Sequence, residues 1–215
     1  MNRNSSSDII RYRMRILLAT TNRGKVEEIG ELLAGSGTTI VGLDEVDAVG
    51  DVEETGSTFG ENALIKARYY HSLTGLVTLA DDSGLEVEAL AGLPGIRSAR
   101  YAGPGATDQE RIEKLLSELK GRAEDERRAR FVCAAGIVWK NGQRLFVEEV
   151  SGSIMTRPRG ANGFGYDPVF YYPLLGRTFA ELARGEKGRI SHRGKAFQRL
   201  ALWLKQGFLD TLGPC

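Results

Sequence analysis

Leu17 to Ile29, LLATTNRGKVEEI, is the stretch from which the rest of the chain is read. An apolar run, Ile16–Ala19, breaks into the polar turn Thr20–Lys25. Val26, Ile29, Leu32 and Leu33 then recur at helical spacing. A strand that passes through a small polar turn into a helix aims backbone N–H groups and the positive end of the helix dipole at one point, where anions bind. Thr20, Thr21, Asn22, Arg23, Gly24 and Lys25 add two hydroxyls, an amide and cationic side chains to that mouth, which suits a polyanion. The same composition also suits ordinary helix capping. It is not the common G-x-x-x-x-G-K-[ST] phosphate loop. Ala19 stands at the first glycine, and Val26 stands where a hydroxyl would hold Mg2+. Metal ligands must therefore come from elsewhere.

Outward from this stretch, strands and helices alternate. We expect a strand at Arg15–Ala19, a helix at Gly24–Ala34, a strand at Thr38–Leu43 and an acidic loop through Glu54. Ser57 or Thr58 caps a helix to about Leu73, with Glu61 completing a capping box. LVTLADD (Leu76–Asp82) reads as a buried strand ending in carboxylates, and GLEVEAL (Gly84–Leu90) as a further, alternating strand. A glycine-rich loop, Gly92–Ala106, leads to a helix from Asp108 to about Lys120, capped by Thr107. A polar stretch, Gly121–Arg128, follows. Asn141-Gly142 marks a hairpin between two alternating strands. GANGFGYDPVF (Gly160–Phe170) is a second glycine-rich loop, and the last helix carries Ala196, Leu200, Trp203 and Leu204 on one face. The expected fold is α/β: a mixed, elongated central sheet flanked by helices, in two lobes with the active site in the cleft between them. Residues 15–215 form one domain, and residues 1–14 a disordered lead.

Bulk properties exclude several classes. With 215 residues the chain can bury a substantial core. A net charge of +1, with both signs mixed along the chain, does not suit nucleic acid. No apolar run approaches the roughly 18 residues of a membrane span. Two cysteines, Cys133 and Cys215, make no disulfide framework, so a reduced, cytoplasmic setting is expected.

The candidate chemistry gathers in a few blocks. Asp81 and Asp82 precede Ser83-Gly84 at an expected strand end, where open α/β sheets bind ligands. Adjacent acids there call for a cation, although Asp-Asp-Ser-Gly also reads as a turn. Glu53, Glu54 and Glu61 offer hard oxygen ligands, and Mg2+ takes one or two carboxylates plus phosphates. Lys25, Lys66, Lys187 and Arg193 lie in or beside turns and suit a triphosphate. Phe164 and Tyr166, flanked by Gly165 and Asp167, either stack on a base or plug the core beneath the turn. His192 beside Arg193 offers donors to a carbonyl oxygen, or a general base; His71 reads as structural.

Five blocks in this order, ATTNRGKVEEI, ETGSTFGENALIKAR, ADDSGLEVEALAGLPGIRSARYAG, GFGYDPVF and ISHRGKAF, resemble the inosine/xanthosine triphosphate pyrophosphatase family. The resemblance runs from about Arg15 to the last helix. It implies a homodimeric, Mg2+-dependent enzyme that hydrolyses ITP, dITP and XTP to the monophosphate and pyrophosphate. Carried over, Thr20 to Lys25 hold the triphosphate, with Lys66 near it. Glu54, the acid before Thr-Gly, helps place Mg2+. Asp82 is the proton acceptor and touches the metal, and Ser83 contacts substrate. Phe164, Gly165, Tyr166 and Asp167 hold the nucleoside, while Lys187, His192 and Arg193 close the site. A donor pair, His192 and Arg193, accepts the purine 6-carbonyl and leaves adenine mismatched.

Overall fold

The computed structural model describes residues 14–46, 50 and 52–208. The expected N-terminal lead up to residue 13, Cys215 and part of the acidic loop (47–49 and 51) lie outside the described residues. Strand β1 (Met14–Leu18) buries Ile16, Leu17 and Leu18 completely, as expected of a central apolar strand. It leads into α1 (Arg23–Leu32), and β2 (Thr38–Val41) returns parallel to it. Helix α2 (Phe59–Thr74) crosses to β3 (Val77–Val87), also parallel to β1. After α3 (Asp108–Glu118), β4 (Arg128–Trp139) and β5 (Gly142–Ile154) form the long hairpin, and β6 (Phe170–Tyr172) and β7 (Arg177–Thr178) complete the sheet. The seven strands lie in the order β2-β1-β3-β4-β5-β6-β7, antiparallel from β3 onward. The expected mixed sheet with flanking helices is therefore present. Helices α4 (Arg184–Ile190) and α5 (His192–Trp203) follow, and a π-helical turn, Leu204–Phe208, ends the described residues.

Helix α5 lays Ala196, Phe197 and Leu200 on Cys133, Ala135, Ile137 and Phe146, with Leu204 and Trp203 continuing that face. At the other end of the same sheet face, Leu85, Phe131 and Val150 pack with Leu115 and Phe170. Helix α2 covers the opposite face with Phe59 and Ala63 on Val132 and Ala134.

Tertiary pairing overrules local composition in several places. The two strands expected around Asp81–Gly84 are one, β3. Its ladder with β4 runs unbroken through Asp81–Ala135, Asp82–Ala134, Ser83–Cys133 and Gly84–Val132. The carboxylates therefore stand mid-strand, not at a strand end or in a turn. Gly84 is required there by crowding, since a Cβ would come within 2.6 Å of the Gly95 carbonyl oxygen. β1, by contrast, pairs with β3 only up to Leu79, and Ala19 N donates to Leu79 O at 2.8 Å before the chain turns away. Beyond that point β1 no longer pairs with β3, whose edge is taken up again only at Leu85–Val87 by the segment Leu93–Ser98, and the acids sit beside the end of β1.

Other corrections are local. The strand read to Leu43 stops at Val41, and Leu43–Glu45 is a 3-10 turn. Thr58, not Ser57, caps α2, while the Glu61 carboxylate turns back to Ser57. Val26, expected on the buried face of α1, is exposed; Ile29 and Leu33 are buried. His71 lies in the last turn of α2, its Nδ1 2.6 Å from Leu76 O, a structural role.

Candidate active site

A cavity of about 560 Å³ opens where β1 leaves the sheet. Most of the residues singled out in the sequence line it: Thr20 to Lys25, Glu54, Lys66, Asp82, Ser83, Phe164 to Asp167, Lys187, His192 and Arg193; Asp81, Glu53 and Glu61 do not. On one wall, Asn22 caps α1 by accepting from Lys25 N at 3.1 Å, and Thr20 Oγ1 accepts from Asn22 N. Capping and ligand access thus coexist in one turn. The first turn of α1 contains no acidic residue, so its positive end faces the cavity uncompensated.

Alternation along β3 separates the two acids. Asp81 is fully buried on the face covered by α5. Its carboxylate lies 2.6 Å from Lys25 Nζ and 3.3 Å from Arg193 Nη2, and Cys133 Sγ donates to it at 3.6 Å. Burial alone would raise its pKa, but Lys25 and Arg193 hold the carboxyl far below the usual carboxylate range. Asp82 faces the other way and lines the cavity. Its Oδ2 accepts from Asn62 Nδ2 at 3.1 Å and its Oδ1 from Ser83 N at 3.0 Å. Burial pushes it up to about 6, with Glu54 adding to the rise and Lys25 and Lys66 opposing it. Lys66 reaches Glu54 at 2.5 Å and the Asp81 carbonyl at 3.4 Å. Burial works against its charge, but Glu54 and Asp81 more than restore it.

Lys187 and Arg193 join a second charge network, organised by a residue that the sequence alone does not single out. Glu28 of α1 accepts from Lys187 Nζ and from Arg193 Nη1, each at 2.6 Å. Burial would raise its carboxyl; Arg193 and Lys187 lower it instead. Its spacing of three from Lys25 puts the two on one side of α1, the signal that could have found it. Lys187 also meets Asp167 at 2.6 Å. Asp167 Oδ2 in turn accepts from Phe164 N at 2.9 Å, closing the GFGYD loop on itself. Gly163 makes this possible: its φ is +75°, and a Cβ there would lie 2.0 Å from Asp167 Oδ2.

The two aromatic possibilities divide between the two residues. Tyr166 is buried and donates to Ser98 O at 2.9 Å, so it is the plug. Phe164 faces the cavity, with Lys187 Nζ 4.8 Å and the Arg193 guanidinium 5.4 Å from its ring centre. The ring packs on Gly24, where a Cβ would come within 2.7 Å of it.

His192 and Arg193 are the first residues of α5, behind the Ser191 cap. His192 is buried and stacks on Phe131 at 4.6 Å. Burial, then Arg193 and Lys187, drive its pKa well below the ordinary value, so the ring is neutral. Its Nδ1 has no hydrogen-bond partner among the described residues. Arg193 directs four of its five N–H donors to Asp81, Glu28 and Ser83, the last at 2.7 Å. Asn62 and Phe131, like Glu28, support the site from positions that sequence periodicity assigns to helix and strand interiors.

The chain is similar to known proteins along most of its length. Residues 16–203 match the Ham1 family. It is 50% identical over 188 residues to the dITP/XTP pyrophosphatase of Yersinia pseudotuberculosis, covering 86% of this chain and 94% of that one. It is 49% identical over 195 residues to the dITP/XTP pyrophosphatase of Thermus thermophilus, covering 90% and 93%. The solved structure of a HAM1 protein from Coxiella burnetii superposes with a TM-score of 0.83 at 45% identity, over 90% of this chain and 99% of that one.

Proposed function

Because this chain belongs to the Ham1 family, we propose that it hydrolyses the deaminated purine nucleoside triphosphates dITP, XTP and ITP to the monophosphate and pyrophosphate. The observation that carries this reading is the contrast between the two neighbouring acids. Asp81 is consumed by cations, while Asp82 faces the cavity with a pKa of about 6, suited to accepting a proton near neutral pH.

The residues have separate tasks. The α1 N-terminus, Thr20 to Lys25, holds the triphosphate, with Lys25 and Lys66 as point charges on it. A water oxygen bonds to the α-phosphorus in line, its proton passes to Asp82, and the bond to the pyrophosphate oxygen breaks. Ser83 contacts the substrate. Phe164 stacks on the base, and Asp167 and Lys187 hold that ring in place. A purine 6-carbonyl accepts from the N–H of His192 and from the remaining N–H of Arg193; the amino group of adenine would meet that Arg193 donor with a donor.

Two hard carboxylates, Glu54 and Asp82, suit Mg2+. Asp82 is raised partly by Glu54, a repulsion that a cation relieves, and Lys66 already stands as a cation against Glu54. Mg2+ takes only one or two carboxylates and completes its shell with substrate phosphates and water. Glu54 and Asp82 would hold the ion, which when bound neutralises the developing charge on the leaving group. The same reading makes the enzyme a cytoplasmic homodimer. It has one domain with two lobes about the cavity; Met14, expected in the lead, is instead the first residue of β1. No described helix is long and apolar enough to cross a membrane.

Pyrophosphate release from dITP, XTP, ITP, dATP and GTP, with Mg2+ or with chelator, tests this directly in wild type and Asp82→Asn. Metal-dependent release from dITP, XTP and ITP that is lost in the variant supports it. Equal release from dATP overturns the base reading, and unimpaired turnover by Asp82→Asn overturns the proton-acceptor role.

A further inference from the structure

Resting on that reading, one contact outside the residues so far assigned stands out. Helix α3 belongs to the far end of the sheet, yet its first residue reaches the nucleoside loop. Asp108 Oδ2 accepts from Gly165 N at 2.6 Å. Its other oxygen pairs with Arg111, whose Nη1 donates to Ala99 O at 2.6 Å. Asp108 and Arg111 both line the cavity. Two consecutive amides beneath the Phe164 ring are thus held by two carboxylates: Phe164 N by Asp167, inside the loop, and Gly165 N by Asp108, from another element. Gly165 adopts a φ of +63°, a backbone state that costs glycine little and so leaves the loop dependent on such anchors.

We propose that Asp108 is a positioning residue for the nucleoside. By tying the Gly165 amide to α3, and through Arg111 to the Ala99 turn, it sets where the Phe164 ring stands, and so governs nucleoside affinity without touching the phosphoryl chemistry. Its partners, Gly165 and Arg111, are separate from those of Lys25, Lys66 and Asp82. Loss of Asp108 therefore loosens the nucleoside end of the site and leaves the phosphate end intact. A charge-assisted hydrogen bond of this kind corresponds to about tenfold in binding.

The test is kinetics with dITP, and binding of deoxyinosine monophosphate and of inorganic pyrophosphate, in Asp108→Ala and Asp108→Asn. Asp108→Ala is expected to raise KM for dITP and Kd for the monophosphate about tenfold, with kcat within about twofold and pyrophosphate affinity unchanged. Asp108→Asn keeps an acceptor for Gly165 but gives up the charge facing Arg111, and should lose about threefold. Unchanged KM in both variants overturns the proposal. So does an equal loss in kcat and pyrophosphate affinity, which would mark a general loosening. Should Asp108→Ala not fold, Asp108→Asn decides by the same split. Should the wild type bind the monophosphate but not turn over dITP, the functional reading fails, while the loss of monophosphate affinity in the variants still decides the role of Asp108.

Discussion

Asp81 and Asp82 are consecutive in one strand, yet they face opposite sides of the sheet and hold their protons in opposite ways. Asp81 is fully buried between Lys25 and Arg193 and stays ionised to low pH. Asp82 lines the cavity, bound by Asn62 and Ser83 N, and is raised to about 6. The period of two along β3 makes this separation.

Asp82→Asn should abolish most turnover, by about 10²–10⁴-fold if the residue is the general base. It should also stabilise the fold. A carboxyl raised from 3.8 to about 6 on folding favours the native state only while protonated, so its ionisation costs stability as pH rises through 6. Removing the charge should therefore add about 1–3 kcal/mol at pH 7, measured by thermal melts in chelator, with the gain vanishing below pH 4. A variant that is inactive and less stable would contradict this assignment.

The same group predicts the pH profile. Because Asp82 must be ionised to accept a proton, kcat/KM for dITP should fall on the acid side with an apparent pKa near 6. A limb that stays near 4 as Mg2+ is lowered would mean that another group titrates.

Asp81→Asn should act in the reverse sense. It leaves the half-buried Lys25 and the buried Arg193 short of a counter-charge, and breaking such a pair costs about 3 kcal/mol. Because the Asp81 pKa is depressed on folding, its contribution is present at neutral pH and is lost in acid. Denaturant titration at pH 7 should show the loss, and the wild type and variant should converge at low pH.

Lys25→Ala should weaken both dITP binding and inorganic pyrophosphate binding, since its ammonium stands at the α1 N-terminus. Equal affinity for pyrophosphate in the variant would remove that turn from the phosphate site.

Gly163→Ala should damage nucleoside binding through the backbone. The added Cβ meets Asp167 Oδ2 at 2.0 Å in a positive-φ position, so the loop must shift and release Phe164 N and Lys187. The check is a KM increase for dITP without a matching loss of pyrophosphate affinity.

Much of this protein is determined by sequence alone. The apolar run of β1, the polar turn, the capped helices and the Asn141-Gly142 hairpin are local signals, because propensity, capping and turn chemistry act over a few residues. The ordered blocks of short motifs named many of the cavity-lining residues, from Thr20 to Arg193, but not Asp108, Arg111 or Phe131. Tertiary structure alone decided the rest. Only the β3–β4 ladder turned Asp-Asp-Ser-Gly from a turn into mid-strand and sent its two acids to opposite faces. Only packing made Tyr166 the plug and Phe164 the cavity ring. Only the meeting of α1 with α4 and α5 gave Glu28 its two cations, and only the approach of α3 gave Gly165 its carboxylate. These contacts join residues far apart in the chain, where pairing and burial, not local preference, set the free energy.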